Sequence, residues 1–212
     1  PSKPVTVETT GKLKSVTMTN EMGVEVKEKL SKDAKTWSTA EDLGYNHTYS
    51  IVASDVDGNK KNLSFSTPQA AGVAEVSLSP IPDSEVGVGQ VIGVNFGVPI
   101  TDRKAAEKTI TVSTNPKVEG AFHWVNNQEV RWRPKDYWEP GTKVEVKVDQ
   151  YGKDLGGGIY GGENAKTNFT IGDRTVAIID NATKTMKVFK NKKFLRAIPV
   201  SLGRDYQYDT PN

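Results

Sequence analysis

Residues 122–148 read FHWVNNQEVRWRPKDYWEPGTKVEVKV, and that pattern admits few folds. Phe122 and Trp124 share one parity, as do Val130 and Trp132, while Arg131 and Arg133 take the opposite one. Apolar residues at every second position mark a half-buried strand. Asn126-Asn127 tolerates the left-handed backbone that a tight hairpin needs. A two-residue loop would set Trp124 against Glu129 and mix the faces. Setting Trp124 opposite Val130 and Phe122 opposite Trp132 requires a three-residue loop, or a bulge, at 126–128. Pro140-Gly141 then turns the chain into Val144, Val146 and Val148. An aromatic hairpin followed by a valine strand is the core of a β-sandwich.

The same alternation recurs in short bursts elsewhere. Residues 1–70 carry Val5-Thr6-Val7, Val16 with Met18, Tyr49-Ser50-Ile51 and Leu63-Ser64-Phe65, separated by turn signals such as Thr10-Gly11 and Asp57-Gly58-Asn59. Trp37 is the expected core aromatic, with Tyr45 and Tyr49 as corner or strand tyrosines. Residues 67–72 are small and contain Pro68, the composition of a linker. Residues 74–172 form a second unit with one expected helical turn, 102–108, capped by Asp102. Both units run Trp, Gly-containing turn, alternating strand, Phe strand: Trp37 to Phe65 in one, Trp132 to Phe169 in the other. That order is a weak internal repeat, and two Ig-like sandwiches in tandem follow from it.

In residues 173–212, Thr175 to Ile179, Thr185 to Phe189 and Phe194 to Val200 read as three strands, with turns at Asp180-Asn181 and Lys190-Asn191. So little strand cannot bury a sufficient core. This part reads as the opening of a further domain, with strands displaced or held by a partner because their edges lack pairs.

Lysine and arginine number 28 against 26 acidic residues and are scattered, so no nucleic-acid or membrane surface is expected. The sequence has no cysteine, which excludes disulfides, thiolate metal sites and a cysteine nucleophile within these residues. No run approaches the ~18 apolar residues of a membrane-spanning helix. Asp55-Val56-Asp57-Gly58-Asn59 has the oxygens of a calcium loop, but its Gly comes too early and Lys60-Lys61 follows, so it reads as a hairpin turn. Residues 156–162 are Gly-rich without the ending of a phosphate loop; they read as a mobile loop or a docking contact between domains. The two histidines, His47 and His123, fall in different units and offer no metal pair. Tyr137 and Trp138 could stack a sugar if exposed, though ring burial at the sandwich edge gains more area. No catalytic, cofactor-binding or metal-binding residue is expected, and no cofactor.

The segments ITDRKAAEKTITVSTNPKVEGAFHWVNNQEVRWRPKDYWEPGTKVEVKV, DLGGGIYGGENAKTNFTIGD, WSTAEDLGYNHTYSIVA and PVSLGRD, with Thr210-Pro211 after it, closely resemble actinobacterial (mycobacterial-type) L,D-transpeptidases. The resemblance implies an all-β chain: two tandem Ig-like β-sandwiches, at 1–70 and 74–172, followed at 173–212 by the first strands of an incomplete YkuD-type β domain. It also implies a parent enzyme that forms 3-3 peptidoglycan cross-links through a cysteine acyl-enzyme, lipid-anchored upstream of this chain in the extracytoplasmic cell envelope. The family's catalytic histidine and Ser-His-Gly-Cys segment have no counterpart here, so the expected role is a non-catalytic spacer whose partners are its own catalytic domain and peptidoglycan. The alternative is a cell-surface adhesion or glycan-binding module.

Overall fold

The computed structural model describes residues 3–203, and the Thr210-Pro211 element lies outside them. The first block holds β1 (Thr6–Glu8), β2 (Leu13–Asn20), β3 (Glu28–Leu30), β4 (Thr36–Thr39), β5 (Thr48–Asp55) and β6 (Lys60–Ser66). They form two three-stranded sheets, ordered β1-β4-β3 and β2-β5-β6. Leu13, Val16, Met18, Trp37, Leu43, Tyr49 and Ile51 fill the space between. Leu13 and Val16 have opposite parities yet both point inward, because the β2–β5 register shifts between Leu13 and Ser15. One extra residue swaps the face of everything beyond it. Trp37 is 1% exposed, and its indole N–H donates to Glu28 Oε2 at 2.5 Å.

The second block holds β7 (Gly72–Ala74), β8 (Ser77–Ser79), β9 (Ser84–Val86), β10 (Ile92–Asn95), α1 (Arg103–Glu107), β11 (Ile110–Asn115), β12 (Gly120–Trp124), β13 (Glu129–Pro134), β14 (Lys143–Val148), β15 (Ile159–Gly161) and β16 (Ala165–Ile171). Its sheets run β12-β13-β10-β8 and β11-β14-β16-β9. The β12–β13 hairpin has the expected register: Phe122 faces Trp132, Trp124 faces Val130, and Val125 N–H closes the three-residue loop by donating to Glu129 O. Across the sheet, Ile92 and Val94 lie opposite Trp132 and Val130. That apolar stripe packs on Val144, Val146, Val148, Phe169 and Ile171 of the facing sheet. Asp102 caps α1, accepting from Ala105 N–H at 3.0 Å.

β17 (Thr175–Asp180), β18 (Thr185–Lys190) and β19 (Lys193–Pro199) form an antiparallel meander. The three expected strands are present, and they pair with one another rather than being displaced. Among the described residues the structure is all-β apart from α1, with two Ig-like sandwiches and this terminal sheet.

A Cβ on Gly120 would lie 2.3 Å from Trp132 Cζ2 and 2.5 Å from Arg133 O, where no small shift clears both. Gly120→Ala should cost about 1–3 kcal/mol, read as a lower melting temperature. Gly87→Ala, with open space around it, should leave melting nearly unchanged. Equal melting of the two variants would contradict this packing.

Candidate functional site

Among the described residues no group of three His, Cys, Asp or Glu side chains is placed to share a metal ion. His47 and His123 fall in different blocks. His47 Nδ1 lies 2.7 Å from Glu21 Oε1, and this contact, with the Thr48 N–H, holds the Glu21 carboxyl below its ordinary range. His123 is exposed on β12, opposite Arg131. The Asp55 carboxylate accepts from the N–H groups of Asp57 and Asn59 and from the Asn59 amide, so its lone pairs close the β5–β6 turn as expected. Arg131 pairs with Glu129 at 2.8 Å. Trp138 is 1% exposed, with its indole N–H donated to Gln90 O at 2.7 Å. Burial therefore removes one of the two rings a sugar-stacking surface would need, while Tyr137 stays 58% exposed.

Two features stand out. The first is a tyrosine-lined joint between the two blocks. Tyr45, in the loop before β5, donates its hydroxyl to Gly161 O at 2.5 Å and accepts from Gly152 N–H at 2.8 Å. Tyr151 returns the contact, donating its hydroxyl to Leu43 O. The Tyr45 ring packs 5.9 Å from Tyr151 and 5.4 Å from Tyr160. Beside them β15 pairs in parallel with β7, and Ala71 N–H donates to Gly158 O. Asn46 clasps the linker from the other side, exchanging two side-chain hydrogen bonds with the Ala70 backbone.

Of the two readings of residues 156–162, the structure corrects the mobile loop and supports a docking contact between domains. Across the joint the loop meets Ala71 of the linker and Tyr45, and within the second block Gly161 and Gly162 donate to Lys153 O and Ala74 O. Gly156, Gly157 and Gly158 hold φ of 87°, 63° and 78°, which lets the loop fold back beneath Thr101 and Ala71. Sequence pattern missed Tyr45 and Tyr151 as joint residues, because two tyrosines 106 positions apart show no shared period. The one available signal was that Tyr151 and Tyr160 flank the glycines.

The second feature is the terminal sheet. Ile178, Ile179, Phe194 and Leu195 are 56, 53, 57 and 56% exposed. Val176 and Ile178 share one face of β17, Ala177 and Ile179 the other; Val176 faces Phe189 and Ile179 faces Met186 across the ladder. Apolar residues on both faces are the pattern of a sheet covered from both sides. In the described residues, Val176 packs against the second core.

Burial pushes the Tyr151 hydroxyl up to about 12 and raises Tyr45 as well. A raised folded pKa means the folded state holds its proton longer, so this stability is complete below the ordinary value near 10 and is lost as pH rises toward 12. Thermal melting should therefore fall across that window more steeply in the native chain than in Tyr151→Phe. Tyr45→Phe, which strands Gly152 N–H and Gly161 O, should cost about 1–3 kcal/mol at neutral pH. Identical alkaline profiles for native and Tyr151→Phe proteins would contradict the buried joint.

Residues 1–154 match the family model described as a bacterial Ig domain. L,D-transpeptidase 2 of Mycobacterium tuberculosis (strain CDC 1551 / Oshkosh) is 44% identical over 198 residues, 92% of this chain and 48% of its own length. L,D-transpeptidase 5 of Mycobacterium tuberculosis (strain ATCC 25618 / H37Rv) is 30% identical over 212 residues, 96% of this chain and 47% of its own length. A solved structure of an L,D-transpeptidase in complex with imipenem superposes with a TM-score of 0.53 at 34% identity, covering 62% of this chain and 55% of that one. The chain spans about half the length of the curated relatives it matches. It belongs to the bacterial Ig domain family and is homologous, over most of its length, to the mycobacterial L,D-transpeptidases.

Proposed function

We propose that this chain is the non-catalytic spacer and scaffold of a peptidoglycan-cross-linking L,D-transpeptidase. Its Ig-like domains lie at 1–70 and 74–172, and residues 173–212 open the catalytic YkuD-type domain. The observation that carries this reading is the terminal sheet, apolar on both faces, in a chain homologous to L,D-transpeptidases. Such a sheet loses free energy in water and gains it, at about 25 cal/mol per Å² of apolar area, once layers cover it. The covering layers are the rest of the catalytic domain, which also supplies the cysteine that forms 3-3 cross-links. A lipid anchor upstream holds the parent protein outside the cytoplasmic membrane. The tyrosine joint then sets the angle at which the two sandwiches carry the active site into the peptidoglycan.

The test uses the parent protein and this chain side by side. Incubation with a carbapenem should add one drug mass to the parent by mass spectrometry and none to the chain. An adduct on the chain alone, or a parent sequence lacking a Ser-His-Gly-Cys segment, would sink the proposal. Removal of residues 1–70 should leave drug acylation of the purified parent intact but lower 3-3 cross-links in cells.

A further inference from the structure

A cleft of about 510 Å³ opens where β13 and the segment before β10 meet the tip of the β18–β19 hairpin. Arg133, Lys135, Arg174 and Lys192 line it, together with Asp136 and Glu139. Among the described residues none of these four cations has a carboxylate within ion-pairing distance. Arg174 is the telling member, because it is half-buried. Its sequence neighbour Asp173 cannot neutralise it, since that carboxylate is taken by Lys190 at 2.7 Å and by the Asn191 amide. The Arg174 guanidinium lies 5.5 Å over the Tyr137 ring, and Tyr137 adjoins Trp138, whose backbone and indole N–H groups are tied to Val88 and Gln90. A partly desolvated guanidinium stacked on an aromatic ring still presents its N–H fork to an oxyanion.

The hairpin tip is held just as firmly. Asn191 N–H donates to Arg174 O at 2.8 Å, and Asn191 Oδ1 accepts from Arg174 N–H at 3.0 Å. Asn191 and Lys192 both have positive φ, 49° and 68°, in a two-residue turn between Lys190 and Lys193. Glycine is the favoured second residue of such a turn, so lysine at that position carries strain. That turn holds Lys192 at the rim of a cleft lined by three other cations.

The geometry points to an oxyanion-binding site in this cleft that takes a phosphate- or carboxylate-bearing ligand. Guanidinium and ammonium groups from the second block and the terminal sheet would close on it from two sides. Asp136 and Glu139 disfavour a dense polyanion and fit a compact group such as one phosphate or uronate.

Isothermal titration of the full chain with inorganic phosphate, with monomeric galacturonate and with neutral dextran tests this. At least one of the two anions should bind, with affinity falling as salt is raised from about 50 to about 200 mM, and dextran should not bind. Which anion binds separates a phosphate from a carboxylate source. Arg174→Gln should weaken binding about tenfold. Lys192→Gly should also weaken it about tenfold, while its melting temperature stays level or rises as the turn relaxes. Lys61→Gln, away from the cleft on β6, should bind as the native chain does. Failure of both anions to bind, equal binding of dextran, or native affinity in Lys192→Gly would overturn the proposal. The last of these decides the matter even if Arg174→Gln does not fold.

Discussion

The Tyr45 hydroxyl is the contact on which the relation between the two sandwiches depends. A linker of small residues has little apolar area to bury, and its backbone N–H and C=O groups still require partners. Here those partners come from across the joint. Tyr45 serves Gly161 and Gly152, Asn46 serves Ala70, and Gly158 serves Ala71. Each such bond is worth only about 1 kcal/mol net. Together with the β7–β15 ladder and three tyrosine rings, they replace a flexible connection by a fixed corner.

Away from the joint, the architecture follows from strand parity and its local exceptions. Where the alternation is regular, as in β13 and β14, each side chain reaches the face that its parity assigns. Where it breaks, a shifted register restores it. The slip beside Leu13 turns that residue inward, and a second slip places Phe189 opposite Phe194 with Leu195 as the extra residue. The outcome differs between the blocks. The two sandwiches close around cores of their own, whereas the terminal sheet spends apolar residues on both faces and leaves them open. That asymmetry separates the two sandwiches from the terminal sheet, and the cationic cleft sits on the seam between them.

Much of this was legible in the order of residues. The β12–β13 register, the Asp102 cap, the buried Trp37 and the three terminal strands all rest on interactions within a few residues or between adjacent strands, where period and turn chemistry speak directly. Whether the glycine loop is mobile or docks was not legible, for the opposite reason. Gly-rich composition reports freedom in the unfolded chain, and nothing local reveals that a tyrosine more than a hundred positions away will hold it.

The sequence alone determined an all-β chain of two sandwiches with a strand-rich tail, since period-two alternation dictates which faces are buried. It also ruled out cysteine chemistry within these residues. Only the tertiary structure decided which polar groups meet: Tyr45 with Gly161, Tyr151 with Leu43, Arg174 with Tyr137. Those pairings depend on how the blocks dock, and docking is set by shape and hydrogen-bond satisfaction across long sequence separations, to which no local period corresponds.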